Sequence, residues 1–117
     1  MSLLKKAAQV AALLATAFSA NAASERAQTA WQWIEQGATV IDVRTPGEFA
    51  SGHLDNAQNL PLQSLNQYLS GLDKSKSYVL YCRSGNRSGQ AFRMMKSAGF
   101  EQLHNGGGYN EMQKAKL

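Results

Sequence analysis

Residues 78–92 read YVLYCRSGNRSGQAF, and this stretch changes from a strand pattern to a helix pattern around a single cysteine. The run Tyr78–Tyr81 is apolar and aromatic, which predicts a buried strand. Gly85 lies in a short turn, and a helix pattern with small and apolar residues follows from Arg87 onward. Cys82, the only cysteine among 117 residues, therefore stands between the carboxyl end of a strand and the start of a helix.

The remainder of the chain repeats this alternation of strand and helix patterns. Strands are predicted at Thr39–Val43, Ala57–Leu60, Ser77–Tyr81 and Gln102–His104. Helices are predicted at Ser24–Gln36, Leu62–Ser70, Arg87–Ala98 and Tyr109–Lys116, and the glycine run Gly106–Gly108 is expected to break the chain. The alternation predicts an α/β fold: one domain with a central, mostly parallel sheet of about five short strands flanked by helices.

Residues 1–22 have the layout of a cleaved secretory signal peptide. Lys5 and Lys6 precede an alanine-rich apolar run that ends in the A-x-A cleavage pattern Ala20-Asn21-Ala22. The apolar run is shorter than the about 20 residues that a membrane-spanning helix needs. We therefore expect an exported protein, no stable membrane insertion after cleavage, and a mature domain that spans residues 23–117.

The residues after Cys82 favour its thiolate form. A free cysteine has a pKa of about 8.5, which a helix N-terminus or neighbouring cations lower. Arg83 and Arg87 supply the cations, and the free amides at the start of the helix attract anions. Because the thiolate is the nucleophilic form, the pattern favours an attacking sulfur. The alternative is a small buried hydrophobe, which predicts slow alkylation of Cys82 near neutral pH.

Several other functions lack their sequence signals. The net charge is +4 and the basic residues form no long run, so nucleic-acid binding is not indicated. A lone cysteine offers neither an internal disulfide nor a C-x-x-C redox pair. One cysteine and two separated histidines do not make a zinc site.

Three ordered motifs resemble the rhodanese (sulfurtransferase) domain family. The segment CRSGNRS, residues 82–88, resembles the family's active-site loop. VIDVRTPGEFASGHLDNAQNLP, residues 40–61, resembles its Asp-Val-Arg segment, and AGFEQLHNGGGYNEM, residues 98–112, resembles its closing segment. A single small domain behind a signal peptide also resembles the periplasmic, phage-shock-type thiosulfate sulfurtransferases, which implies export to the periplasm. In one departure, Tyr109 stands where many members have tryptophan after the paired glycines.

The resemblance implies a thiosulfate sulfurtransferase of rhodanese fold. Cys82 would take up sulfane sulfur as a persulfide, sulfite would leave, and a thiol or cyanide would accept the sulfur. The resemblance also implies that no metal or organic cofactor is needed. The loop residues expected to bind the donor anion are Arg83, Ser84, Gly85, Asn86, Arg87 and Ser88. Structural support is expected from Asp42, Arg44, Glu48 and His53. In this group Asp42 would cap the turn after its strand, and Arg44 would pair with Glu48.

Two other interpretations stay open. A rhodanese-like domain can carry sulfur to a protein acceptor or bind a partner without turnover, although an intact cysteine and both arginines favour catalysis. A small phosphatase or an arsenate-type reductase is less favoured. The related phosphatases have a longer C-x5-R loop, whereas Cys82 and Arg87 form C-x4-R.

Overall fold

The computed structural model of the chain describes residues 23–116. The predicted signal peptide, residues 1–22, lies outside the described residues and stays a prediction. Within residues 23–116, no helix combines the length and the apolar character that crossing a membrane requires.

The described residues form a sheet of four parallel strands. In chain order these are β1 (Thr39–Asp42), β2 (Gln58–Asn59), β3 (Ser77–Cys82) and β4 (Gln102–Gly108). Their spatial order is β2-β1-β3-β4, so β3 is an inner strand that pairs with β1 and β4. Cys82 is the last residue of β3, at the carboxyl edge that all four strands share. The α/β class is confirmed, with four strands where about five were expected.

Helices cover both faces of the sheet. The described helices are α1 (Glu25–Glu35), α2 (Pro46–Ala50), α3 (Asn66–Leu69), α4 (Asn86–Ser97) and α5 (Tyr109–Ala115), with a 3₁₀ turn at Leu62–Ser64. One core layer joins the sheet to α3 and α4, and includes Leu65 and Met95. The other joins it to α1 and α5, and includes Ala30 and Met112.

The alternation of side chains along β3 decides which layer receives the thiol. Successive residues of a strand point to opposite faces of the sheet. Val79 and Tyr81 belong to the layer under α1 and α5, whereas Leu80 and Cys82 belong to the layer under α4. The cysteine therefore faces the helix whose N-terminus follows it directly in the sequence.

Most element boundaries agree with the sequence predictions, and the helix at Leu62–Ser70 is the main exception. It divides into the 3₁₀ turn and the four-residue α3. Leu62 and Leu65 are three residues apart, a spacing that suits a 3₁₀ turn as well as an α-helix. At α1 the prediction is confirmed, because Ser24 is the N-cap and its Oγ accepts the amide N–H of Ala27 at 3.3 Å.

The glycine run does not break the chain, contrary to expectation, but completes β4. Tyr81 pairs with Gly107 and Cys82 with Gly108, after a register shift between Leu80 and Tyr81. Gly107 has a φ of +102°, a conformation that glycine adopts readily at a β-bulge. A Cβ at Gly108 would overlap the backbone carbonyl of Arg83. The glycines therefore allow β4 to approach the loop that follows Cys82.

Candidate active site

The sulfur of Cys82 is fully buried and surrounded by hydrogen-bond donors. The amide N–H of Gly85 donates to Sγ at 3.0 Å, and the hydroxyl of Ser88 lies 3.4 Å from it. Burial raises the pKa of the thiol, but hydrogen bonds from the Ser88 hydroxyl and from the amides of Ser88, Ser84 and Gly85 together outweigh it. The pKa of Cys82 is therefore lowered, in the direction predicted from the sequence but chiefly through hydrogen bonds.

The loop can surround the sulfur because of the conformation of Gly85. This residue is the N-cap of α4 and has a φ of +96°, in the left-handed region. Its backbone lets successive amides curl toward one point, as in an anion-binding nest at a helix N-terminus. The predicted loop residues Ser84, Gly85 and Ser88 thus contact the sulfur through their backbone amides, and Ser88 does so through its hydroxyl as well.

Asn105 in β4 fixes this loop from the opposite side, a role that the sequence analysis missed. Its Nδ2 donates to the carbonyl of Gly85 at 3.1 Å, and its Oδ1 accepts the amide of Gly107 at 3.0 Å. The same Oδ1 lies 2.8 Å from the Ser88 hydroxyl. A hydroxyl has one proton, so Ser88 donates either to Asn105 or to the sulfur of Cys82. Asn105 directly precedes the glycine run, and that position was its one sequence signal.

Arg87 is occupied by an ion pair with Glu48 of α2. Its Nη1 and Nη2 donate to the two carboxylate oxygens at 2.7 and 2.9 Å. These hydrogen bonds are the main reason why the pKa of Glu48 falls from 4.5 to about 2, with further hydrogen bonds from Thr45. The predicted pair between Arg44 and Glu48 is wrong, because the capping box of α2 turns Glu48 toward Arg87.

Arg44 pairs instead with Asp42, two residues earlier. Its Nη2 donates to Asp42 Oδ2 at 2.7 Å, and the pair is almost completely buried. Asp42 Oδ1 also accepts the backbone N–H of Arg44 at 2.8 Å, so Asp42 caps the turn as predicted. The guanidinium lies 4.7 Å from the ring centroid of Tyr109 and donates to the carbonyl of Gly52. Asp42, Arg44 and Tyr109 thus tie β1 to α5 and to the segment after α2.

The remaining predicted residues lie at the surface. Arg83 and Asn86 are exposed at the mouth of the loop, and Ser84 is exposed as well, although its amide is directed at the sulfur. His53 is also exposed; its Nδ1 is hydrogen-bonded to the carbonyl of Phe49 at 2.8 Å, and its ring stacks on that of Phe49 at 3.7 Å. His53 therefore secures the end of α2, in agreement with a supporting role.

A second arginine contacts the loop from α1, and the sequence analysis did not find it. Arg26 donates to the carbonyl of Ser84 at 3.0 Å and to Glu111 of α5 at 2.7 and 2.8 Å. The pKa of Arg26 is raised, mainly by its hydrogen bond to Glu111 and in part by the negative charge of Cys82. It lies 58 residues from Ser84 in the sequence, and no local motif marks it.

A small cavity adjoins Arg87 at the same edge of the sheet. Its volume is about 140 Å³, and its walls are Val43, Thr45, Pro46, Pro61, Leu62, Gln63 and Arg87. No group of three or more His, Cys, Asp or Glu side chains within residues 23–116 is arranged to hold a metal ion.

The fold and the loop define a class of protein: a parallel α/β domain with a thiol at the carboxyl edge of the sheet, in a turn whose backbone amides are directed at the sulfur. The chain belongs to the rhodanese-like domain family, whose profile matches residues 26–115. This match covers nearly all of the predicted mature domain, residues 23–117.

Individual relatives agree with this assignment. The thiosulfate sulfurtransferase PspE of Escherichia coli is 30% identical over 79 residues, which are 66% of this chain and 76% of that protein. An uncharacterized Synechocystis protein is 40% identical over 92 residues, 77% of this chain; the match spans about half (51%) of that relative. The solved structure titled "rhodanese with anions from E. coli" has a TM-score of 0.61 and 30% identity, and the match covers 64% of this chain and 91% of that one.

Proposed function

We propose that the protein is a thiosulfate sulfurtransferase that carries sulfur as a persulfide on Cys82. The observation that carries the proposal is the buried sulfur with the amides of Ser84, Gly85 and Ser88 directed at it. Such donors favour an anionic sulfur both before and after a transfer step. The family membership and the relative named thiosulfate sulfurtransferase support the same reaction.

The proposed reaction has two steps that balance. The thiolate of Cys82 attacks the outer sulfur of thiosulfate, an S–S bond forms to Cys82, and sulfite leaves with the electron pair of the broken bond. A thiophilic acceptor then attacks the outer sulfur of the persulfide. With cyanide as acceptor, thiocyanate forms and the thiolate of Cys82 returns. No electron or proton has to be supplied from elsewhere.

The two loop arginines have different roles in this proposal. Arg83 is exposed at the mouth of the loop and is the cation that meets the sulfonate end of the donor. Arg87 is held by Glu48 and shapes the loop from behind. Complete burial of Sγ favours a small donor such as thiosulfate over a bulky one.

The test is the intact mass of the purified protein before and after thiosulfate, with Cys82→Ser beside it. We expect a gain of one sulfur atom that is absent in the variant and that cyanide removes as thiocyanate. A folded wild-type protein with a reactive thiol but no mass gain would overturn the thiosulfate proposal. Sulfur uptake from another persulfide protein alone would then indicate a sulfur carrier.

Anion recognition needs a separate measurement. We expect Arg83→Ala to raise the KM for thiosulfate, while the charge-matched Arg93→Ala on the exposed side of α4 leaves it unchanged. An aryl phosphate is tested as an alternative substrate for the wild type and for Arg83→Ala. Turnover of that phosphate would favour a phosphatase. The ion pair between Arg87 and Glu48 argues against this function, because it occupies the guanidinium group of Arg87.

Export is part of the same proposal and rests on residues 1–22 of the sequence. In a periplasm, a single thiol cannot form an internal disulfide. The mass of the protein recovered from a periplasmic fraction tests this step. We expect a chain that begins at Ala23, and a full-length chain confined to the cytoplasm would contradict it.

A further inference from the structure

The guanidinium of Arg26 lies over the turn that follows Cys82. Its Nη2 donates to the carbonyl oxygen of Ser84 at 3.0 Å. A Cβ built on Gly85 would lie 2.6 Å from the same nitrogen, so the side chain is packed directly against that glycine. Arg26 comes from α1, on the opposite side of the sheet from α4, and reaches the loop around the end of β4.

The carbonyl that Arg26 contacts belongs to the peptide group that contacts the sulfur. The C=O of Ser84 and the N–H of Gly85 are the two polar ends of one planar peptide unit, and they point in opposite directions. A bond to that carbonyl therefore fixes the direction of the N–H, which donates to Cys82 Sγ at 3.0 Å. Hydrogen bonds in such a chain polarise one another, so a cation at one end strengthens the donor at the other.

Two ion pairs contribute the charges around the sulfur. Arg26 pairs with Glu111 of α5, and Arg87 pairs with Glu48 of α2. The negative charge of Cys82 helps to raise the pKa of both arginines, and a Coulomb interaction is mutual. Glu111 is in turn held by Ser24 Oγ at 2.6 Å and by the amide of Gly108 at 3.0 Å. These contacts fix the position of the guanidinium of Arg26.

We propose that Arg26 is a positioning residue for Cys82: through the carbonyl of Ser84 it aims the Gly85 N–H at the sulfur, and its charge favours the sulfur anion. This role rests on the proposed function of Cys82 as the sulfur-carrying nucleophile. It adds a residue from α1 to a site that is otherwise built at the ends of β3 and α4. Arg26 does not touch the donor; it acts through the Ser84–Gly85 peptide.

The test is a pH titration of the Cys82 thiolate by its ultraviolet absorbance in wild type, Arg26→Gln and Arg26→Lys. The chain has one cysteine, so the signal has a single source, and Cys82→Ser gives the baseline. We expect the glutamine variant to lower the thiolate-to-thiol ratio at neutral pH about threefold or more, because a nearby cation is lost. The lysine variant keeps the charge and should recover most of that ratio.

Arg93→Gln is the control for a general change of net charge, because Arg93 lies on the exposed surface of α4. Both glutamine variants should fold: Arg26 is 43% exposed at its side chain, and Glu111 keeps Ser24 and Gly108 as donors. A purely structural Arg26 would lower thermal stability and leave the titration unchanged, which would overturn the proposal. An equal change in Arg93→Gln, or no recovery in Arg26→Lys, would overturn it as well.

This outcome is separate from the outcome of the proposed function. The titration reports on the thiol without any sulfur donor, whereas the mass gain with thiosulfate reports on transfer. A shifted titration without sulfur uptake would keep the role of Arg26 and reject thiosulfate as donor. Sulfur uptake with an unshifted titration would keep the transfer reaction and reject the role of Arg26.

Discussion

Two ion pairs lie on either side of the thiol loop, and they differ in what the arginine holds. Arg87 belongs to α4 and uses Nη1 and Nη2 on the carboxylate of Glu48. Arg26 belongs to α1 and divides its donors between Glu111 and a carbonyl of the loop itself. The first pair therefore ties the loop to α2, and the second pair sets the orientation of a peptide group within the loop.

The carboxylates of the two pairs also differ in their surroundings. Glu48 receives its other hydrogen bonds from Thr45, three residues away in its own capping box. Glu111 receives bonds from Ser24 of the α1 cap and from Gly108 at the end of β4. Gly108 is the N-cap of α5, so its bond to Glu111 is a local capping-box contact like that of Thr45 to Glu48. Glu111 thus joins its own helix to two residues of α1, Ser24 and Arg26, whereas Glu48 adds one distant residue, Arg87, to its capping box. Loss of Glu111 should affect more of the fold.

The largest effect is expected from Gly85→Ala, which disrupts the Arg26 side of the loop and leaves the pair of Arg87 intact. A φ of +96° is unfavourable for alanine, and the new Cβ would displace the guanidinium of Arg26. We expect the rate of sulfur loading from thiosulfate to fall about tenfold to a hundredfold, as when a donor to a reacting anion is lost. Intact-mass measurements on samples quenched at successive times after addition of thiosulfate give this rate.

Gly47→Ala is the matched control on the other side. Gly47 lies in α2, close to Glu48, and a Cβ there would meet nothing within 4 Å. We expect a loading rate equal to wild type and a stability change within about 0.5 kcal/mol, because alanine favours the helix. Equal losses in both variants would show that any substitution near the loop is harmful, and the comparison of the two sides would fail.

A smaller effect is expected on stability when each carboxylate is replaced by its amide. Glu111→Gln should lower the free energy of unfolding by about 1–3 kcal/mol, since it weakens charged hydrogen bonds to three residues, two of which belong to α1. Glu48→Gln should cost about 0.5–1 kcal/mol, in the range of partly exposed ion pairs. Urea unfolding followed by circular dichroism measures both. The exposed Glu101→Gln controls for the lost charge, and a larger loss for Glu48→Gln than for Glu111→Gln would contradict this ranking.

The sequence predicted the site residues around Arg87 better than those around Arg26. Cys82, Gly85, Arg87 and Ser88 stand within one loop, and a strand pattern followed by a helix pattern places them at the sheet edge. Local order is enough for such a group, because the chain itself brings the residues together. The pairing of Arg87 with Glu48 was not predicted, since it depends on how α2 packs beside the loop.

Long-range contacts account for what the sequence could not reveal. Arg26 and Asn105 contact the loop from α1 and β4, and each is an ordinary polar residue in its own segment. The prediction that the glycine run breaks the chain was wrong for the same reason, because it too depends on long-range contacts. Glycine is typical of turns, but here β4 packs closely against other parts of the chain, and a Cβ would overlap Met112 at Gly106 and the backbone of Arg83 at Gly108. At Gly107 the positive φ and the nearby side chain of Glu111 favour glycine. Only the packed structure shows whether a glycine run forms a turn or allows close packing of a strand.

The smallest expected effect concerns acid stability, and it tests whether the two pairs share one electrostatic property. Hydrogen bonds from Arg87 to Glu48 and from Arg26 to Glu111 lower the pKa of each carboxylate from 4.5 to about 2. A lowered folded-state pKa stabilises the protein above about pH 4.5, and this contribution is lost as the pH falls toward 2. We expect the melting temperature of the wild type to decrease steadily from pH 5 to pH 2.

In Glu48→Gln/Glu111→Gln this acid-dependent decrease should be smaller, because neither position binds a proton over that range. The double variant should start from a lower melting temperature at pH 7 and approach the wild type near pH 2, where the folded-state carboxylates of the wild type are about half protonated and most of their stabilising contribution is lost. Each single variant should remove part of the decrease, since both carboxylates have the same lowered pKa. Parallel curves for wild type and double variant would mean that other carboxylates govern acid stability. The two pairs would then matter for the geometry of the loop and not for the pH dependence of folding.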